Sequence, residues 1–224
     1  FDLSERVAVV TGGNAGIGLG IAQGLGEAGA RVMICGRRDA ANDVAIEALR
    51  SVGCDANSIA IDVTDKDQLS ALFAHTRETL GPVDILVNNA GTVGDGGFVP
   101  EKLPHAVFGE TIQTNLIGLW TCSQEVGKRM LSDGKGGSII NITSVMGMGG
   151  AADHPLAYQT SKAGVINLTR NLACSWADRG VRVNAIAPAY FPSEMTGPYL
   201  AVPGFEPYVQ NATPMGRLGE LDEL

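Results

Sequence analysis

The sequence predicts a single α/β domain in which helices cover both faces of a doubly wound, mostly parallel sheet. Three observations carry this. Six short β-branched or apolar runs recur along the 224 residues, at Val7–Val10, Arg31–Cys35, Ser58–Val63, Asp84–Asn88, Ser138–Thr143 and Val181–Ala187. Between them lie stretches with apolar residues at helical spacing, such as Ile17, Ile21, Leu25 and Ala28, or Val165, Leu168, Leu172 and Trp176. A glycine-rich turn directly follows the first run and opens into the first helix. Strands that alternate with helices return by right-handed crossovers and pair in parallel, which requires helices on both faces. Ligands of such sheets sit beyond the carboxyl ends of the strands, near the point where strand order reverses.

The first turn, Thr11-Gly-Gly-Asn-Ala-Gly-Ile-Gly18, lets the backbone bend sharply, approach a pyrophosphate and set that anion at a helix N-terminus. Gly12, Asn14, Gly16, Ile17 and Gly18 are therefore candidate cofactor-binding residues; the competing reading is a tight turn that binds nothing. The second strand ends at Arg37 and Arg38, where many dinucleotide folds place an acid for the ribose 2′-hydroxyl. Two guanidiniums favour the 2′-phosphate of NADP(H), with NAD(H) as the alternative, unless they are solvated openers of the next helix. Asp62 and Val63 close the third strand. The Asp62 carboxylate is placed to accept from an adenine amino group or to cap a helix, and Thr64 and Asp65 are the better cap candidates.

The fourth strand ends in Asn88-Asn89-Ala90-Gly91, small polar residues that keep a crevice open and brace the strand ends. A helical stretch over Ala106–Met130 carries Asn115, whose amide is mediocre for helix propensity. Ser144 follows the fifth strand, and Tyr158 and Lys162 come next at i,i+4, which puts both on one helix face. An ammonium beneath the phenol is expected to lower its pKa from about 10, making Tyr158 usable as an acid or base. Ser144 then holds the substrate oxygen; the bland alternative is a surface helix with a snorkelling lysine. After the sixth strand, residues 190–214 read as an irregular substrate lid.

The composition narrows the class. A formal net charge of −8 disfavours nucleic-acid and anionic-membrane surfaces, since phosphate binding needs clustered Lys and Arg. No run approaches the roughly 20 apolar residues that span a bilayer, and no basic-then-apolar leader opens the chain, so a cytoplasmic protein is expected. Cys35, Cys54, Cys122 and Cys174 lie far apart without a Cys-x-x-Cys pair and read as buried thiols. No metal site is expected: His154 has no second ligand at metal spacing.

Taken in order, Thr11-Gly12-x-x-x-Gly16-x-Gly18, Asp62, Asn88-Asn89-Ala90-Gly91, Asn115, Ser144, Tyr158 and Lys162 resemble the short-chain dehydrogenase/reductase family over nearly the whole chain. The resemblance implies a Rossmann-like sheet and a tetrad of Asn115, Ser144, Tyr158 and Lys162. It implies that Tyr158 exchanges a proton with a substrate hydroxyl or carbonyl while the nicotinamide exchanges the hydride, that Lys162 holds the nicotinamide ribose, and that Asn115 joins a water-mediated relay toward Lys162. Pro188 through Met195 resembles the segment that touches the nicotinamide amide, with Ser193 where the family often has Thr. A homodimer or homotetramer through the helices of Asn115 and Tyr158 is also implied.

Three departures stand out. Ala189 follows the proline where the family usually has Gly, Ala15 occupies a place that some NADP-preferring relatives fill with a basic residue, and Gly219–Leu224 reads as a helix just begun, ahead of the family's final helix and strand. His154, the run Val145–Gly150, Tyr190, Phe191 and Met195 are the candidate substrate lining. With little charge among them, an apolar or mildly polar ketone, aldehyde or secondary alcohol is favoured over a phosphorylated sugar, and 3-oxoacyl thioesters and polyols stay open. The same fold also hosts non-catalytic dinucleotide sensors, assembly subunits, lyases and epimerases.

Overall fold

The computed structural model describes residues 2–152 and 154–224. Six parallel strands form one sheet in the order β3-β2-β1-β4-β5-β6: β1 Val7–Thr11, β2 Arg31–Gly36, β3 Ala56–Ala60, β4 Ile85–Asn88, β5 Gly137–Ile142 and β6 Val181–Ile186. All six expected strands are present. The order reverses between β1 and β4, and the crevice beyond their carboxyl ends is where a dinucleotide binds in this topology.

Alternation along the strands sorts the core into two layers. Val7, Val9, Met33 and Leu86 point to one face and meet Leu69, Leu72 and Phe73 of α3 (Lys66–Thr79) and Val126 of α5 (Leu119–Asp133). Ala8, Val10, Val32 and Ile34 point to the other and meet Ala22 of α1 (Gly16–Glu27) and Ala45, Ile46 and Leu49 of α2 (Asp39–Ser51). Strands buried on both faces explain the near-continuous apolar runs.

The boundaries differ from expectation in four places. β3 ends at Ala60, so Asp62 and Val63 lie beyond the strand; Ile61 and Val63 pack on the core from a loop, which made the strand look longer. The helical stretch after β4 is interrupted: α4 (His105–Ile112) and α5 are joined by a π-helical turn at Gln113–Gly118. The segment 190–214 contains two short helices, α7 (Gly197–Leu200) and α8 (Phe205–Ala212). Gly219–Leu224 ends in one 3-10 turn, Leu221–Glu223, closed by reciprocal Glu220 and Glu223 caps and resting on Gly20 of α1. α6 (Leu156–Trp176) is the longest helix and packs on β6. Among the described residues no helix is long and apolar enough to cross a membrane. Cys35, Cys54 and Cys122 are buried as expected, but Cys174 is exposed on α6, because helical spacing turns it away from Val165 and Leu172.

Candidate active site

The glycine-rich turn lies at the reversal point. Gly16 has φ +52°, and a Cβ there would come within 2.9 Å of the Ser193 Cβ; a Cβ on Gly18 would strike the Gly12 carbonyl. Ala15 supplies no side-chain cap to α1 and the first turn holds no acid, so its amides are left for an anion. This cradle fits the pyrophosphate of a dinucleotide. Asn14 does something local: its Nδ2 donates to Asn42 Oδ1 (2.8 Å), and Asn42 Nδ2 donates to the Gly36 carbonyl (3.1 Å), tying the turn to the end of β2. Ile17 packs its side chain on the core beneath α1.

The polar residues after β4 brace the strand ends. Thr11 Oγ1 accepts from the Asn89 and Ala90 amides at 3.0 and 3.1 Å, and Asn89 Nδ2 donates to the Thr11 and Gly12 carbonyls at 3.0 Å each. Asn88 Nδ2 donates to Ser123 Oγ and Asn141 Oδ1, and Asn141 Nδ2 to Thr169 Oγ1, a buried chain under β4 and β5. Asp65 is the N-cap of α3, while Asp62 Oδ1 accepts from the Thr64 amide and hydroxyl, both at 2.8 Å, on the rim of the crevice. Val63 packs beside Gly118 of the π-turn.

Asn115 is fully buried in that π-turn. Its Oδ1 accepts from the Thr92 amide (2.8 Å) and its Nδ2 donates to the Thr92 carbonyl (2.9 Å) and Ser161 Oγ (3.1 Å). Both donors are engaged within the protein, so its side chain clamps the loop after β4 to α6. π-turns of this kind recur at functional sites because they aim one residue out of helical register.

Ser144, Tyr158 and Lys162 converge at the ends of β5 and α6, all buried. Lys162 Nζ lies 5.6 Å from the centre of the Tyr158 ring and donates to the Ile142 carbonyl (2.8 Å). Burial lowers the Lys162 ammonium to about 8. The expected lowering of Tyr158 is overturned: burial pushes its phenol up, and the Ser144 hydroxyl only partly offsets this. Proximity of a cation was legible at i,i+4, whereas the dry surroundings that disfavour phenolate were not.

Around this centre Pro188 is buried and accepts from the Val145 amide (3.1 Å), while the exposed Ala189 fits without strain. Ser193 leans on Gly16 and shares hydrogen bonds with Thr196. Arg37 is exposed beside the crevice; Arg38 donates to both Glu194 oxygens (2.9 and 2.7 Å), an exposed pair of the kind worth about 0–1 kcal/mol. Sequence reasoning missed Asn42 and Tyr208. Tyr190 Oη donates to Tyr208 Oη (3.2 Å), which lies 3.3 Å from His154 Nε2, and Phe205 stacks edge-on against Tyr190. The spacing of aromatics at 190, 199, 205 and 208 was the available signal.

Comparison with known proteins agrees with this arrangement. Residues 6–201 match the family model for short chain dehydrogenase. A gluconate 5-dehydrogenase of Gluconobacter oxydans (strain 621H) is 35% identical, over all of this chain and 86% of its own length. A galactitol 2-dehydrogenase of Rhizobium johnstonii is 39% identical with the same coverage. The Pseudomonas aeruginosa RhlG/NADP active-site complex superposes with a TM-score of 0.91 at 36% identity, over 99% of this chain and 87% of that one. The chain belongs to the short chain dehydrogenase family and is an oxidoreductase that interconverts alcohols and ketones with a nicotinamide dinucleotide.

Proposed function

We propose that Tyr158 is the proton donor and acceptor of this oxidoreductase, that NADP(H) is its preferred dinucleotide and that a hydroxylated open-chain ketone or alcohol is its substrate. The observation that carries the reading is the buried convergence of Ser144, Tyr158 and Lys162 beside the glycine-rich turn. The dinucleotide, when bound, supplies or takes the hydride. Gly12, Gly16, Gly18 and the first amides of α1 would hold its pyrophosphate, Asp62 and Val63 its adenine end, Asn89, Ala90 and Gly91 its flank, and Pro188 and Ser193 its nicotinamide end.

In carbonyl reduction, Ser144 Oγ donates to the substrate oxygen and Tyr158 Oη gives it a proton as charge develops there. A phenol held up by burial is protonated at neutral pH, so the donor is loaded for this direction. Lys162, with an ammonium that titrates near 8, stabilises the phenolate left behind and directs reprotonation. Alcohol oxidation runs the same path backward and gains from higher pH.

Arg37 and Arg38 support NADP(H), since no acid stands at the end of β2 to hold a free 2′-hydroxyl. The Arg38–Glu194 pair is weak enough for a phosphate to displace. Of the apolar or mildly polar ketones, aldehydes and alcohols expected from the candidate lining, with polyols left open, the linked hydroxyls of Tyr190 and Tyr208 with His154 favour a hydroxylated substrate, in keeping with relatives named for gluconate and galactitol. A homodimer or homotetramer through α4–α5 and α6, with Ile117 among the exposed apolar residues there, belongs to the same reading.

The test is NADPH and NADH oxidation against hydroxylated and apolar ketones, comparing the natural chain with Tyr158→Phe. The variant should bind NADPH and lose roughly 10²-fold or more in kcat. Equal rates would remove Tyr158 from the chemistry, and faster turnover with NADH would reverse the cofactor preference.

A further inference from the structure

We infer that Asp95 is a positioning residue for proton transfer, capping from a distant loop the helix turn on which Tyr158 stands. α6 starts badly by its own means. Its N-cap is Pro155, which makes no side-chain cap bond, and no acid lies in its first turn. Asp95 supplies the missing acceptor from 62 residues away: its Oδ2 accepts from the Ala157 amide at 2.6 Å, and the residue is 1% exposed. A capping acceptor at a helix start contributes about 0.5–2 kcal/mol, and an acidic one also complements the positive end of the helix dipole.

The loop that carries Asp95 is itself fixed at its other end. Asn115 grips both the amide and the carbonyl of Thr92, and the same side chain reaches Ser161. Ser161 in turn donates to the Tyr158 carbonyl at 2.7 Å. The loop thus holds α6 on either side of Tyr158, through Ala157 and through Ser161. A tether that straddles one residue restrains its Oη more tightly than either anchor alone, and sub-ångström placement is what proton transfer requires.

Stability alone does not account for a full carboxylate here. Asp95 Oδ1 is buried without a hydrogen-bond partner among the described residues, a cost of about 1–3 kcal/mol that Ser or Thr in the same capping role would avoid. A negative charge held on the amide next to Tyr158 would disfavour phenolate there, and the charge-removing variant tests this part of the inference. Among the described residues, the titratable groups tied to that phenol are Lys162 on its own helix and Tyr190 from the segment after β6, which is bonded to Tyr208 and through it to His154.

The inference rests on Tyr158 as proton donor, and three variants separate the two claims. Asp95→Ala removes the tether: kcat should fall about tenfold or more, while the NADPH Kd read by fluorescence stays within about threefold. Asp95→Asn keeps an acceptor of the same shape without the charge. Its plateau kcat should stay within about threefold of the natural chain, and the limb of the pH profile set by the phenol should move about half a pH unit toward acid. An Asp95→Ala enzyme with unchanged kcat, or with kcat and NADPH affinity lost in proportion, overturns the inference. So does an Asp95→Asn profile that does not move, which decides the matter even if Asp95→Ala does not fold. Full activity of Tyr158→Phe would instead overturn the underlying assignment, whatever the Asp95 variants do.

Discussion

The strand-end centre and the segment 190–214, which meet through Tyr190 and through Ser193 beside Gly16, are built by different rules. Asn115, Ser144, Tyr158 and Lys162 are all under 10% exposed, and Asn115 and Lys162 are locked by bonds to the loop after β4, α6 and β5. In the segment 190–214, Leu200 and Tyr208, on two helices of four and eight residues, and Val202, in the turn between them, are about half exposed. Short helices are marginal by themselves. The difference teaches how rigidity is distributed: buried side chains hold one region, and short, lightly packed helices form the other, which on the proposed reading divides reaction from substrate choice.

The largest effect that sharpens this contrast is on stability. Phe73→Ala, in the layer beneath the centre, should cost about 3–5 kcal/mol in a urea titration, whereas Leu200→Ala should stay within about 0.5 kcal/mol. Similar losses at both positions would erase the distinction.

A smaller effect is pH-linked. The Lys162 pKa falls from 10.5 to about 8 on folding, so the unfolded chain binds more protons between those values and this group's contribution to stability rises with pH across that window. The stability of Lys162→Met relative to the natural chain should therefore be most favourable below pH 8 and decline toward pH 10. A difference that stays flat in thermal melts would mean that the ammonium is not desolvated. The smallest effect belongs to the segment 190–214. Tyr208→Phe should raise KM for hydroxylated ketones about three- to tenfold, the worth of one hydrogen bond, and leave small apolar ketones and the melting temperature unchanged.

What the sequence disclosed follows the same division. Local signals were legible: β-branched runs marked all six strands, the glycine spacing marked the turn at the reversal point, and i,i+4 spacing put Tyr158 and Lys162 on one face. Relations between distant residues were not. That the Tyr158 phenol is raised depends on burial by several elements, and the Asp95 cap joins residues 62 apart. Arg38 read as a free guanidinium because its Glu194 partner arrives from the far end of the chain. The two short helices of 190–214 were hidden by Pro and Gly at their borders.

The π-turn at Gln113–Gly118 also sets which changes of length this gene tolerates. A residue added to or removed from a helix rotates everything beyond it by about 100°. Deleting one residue between α4 and α5 would restore regular winding, yet swing Asn115 off Thr92 and Ser161 or turn the Cys122 and Val126 face off the sheet. Insertions and deletions among relatives should therefore be purged from this helix, where substitutions still pass, and accumulate after β6.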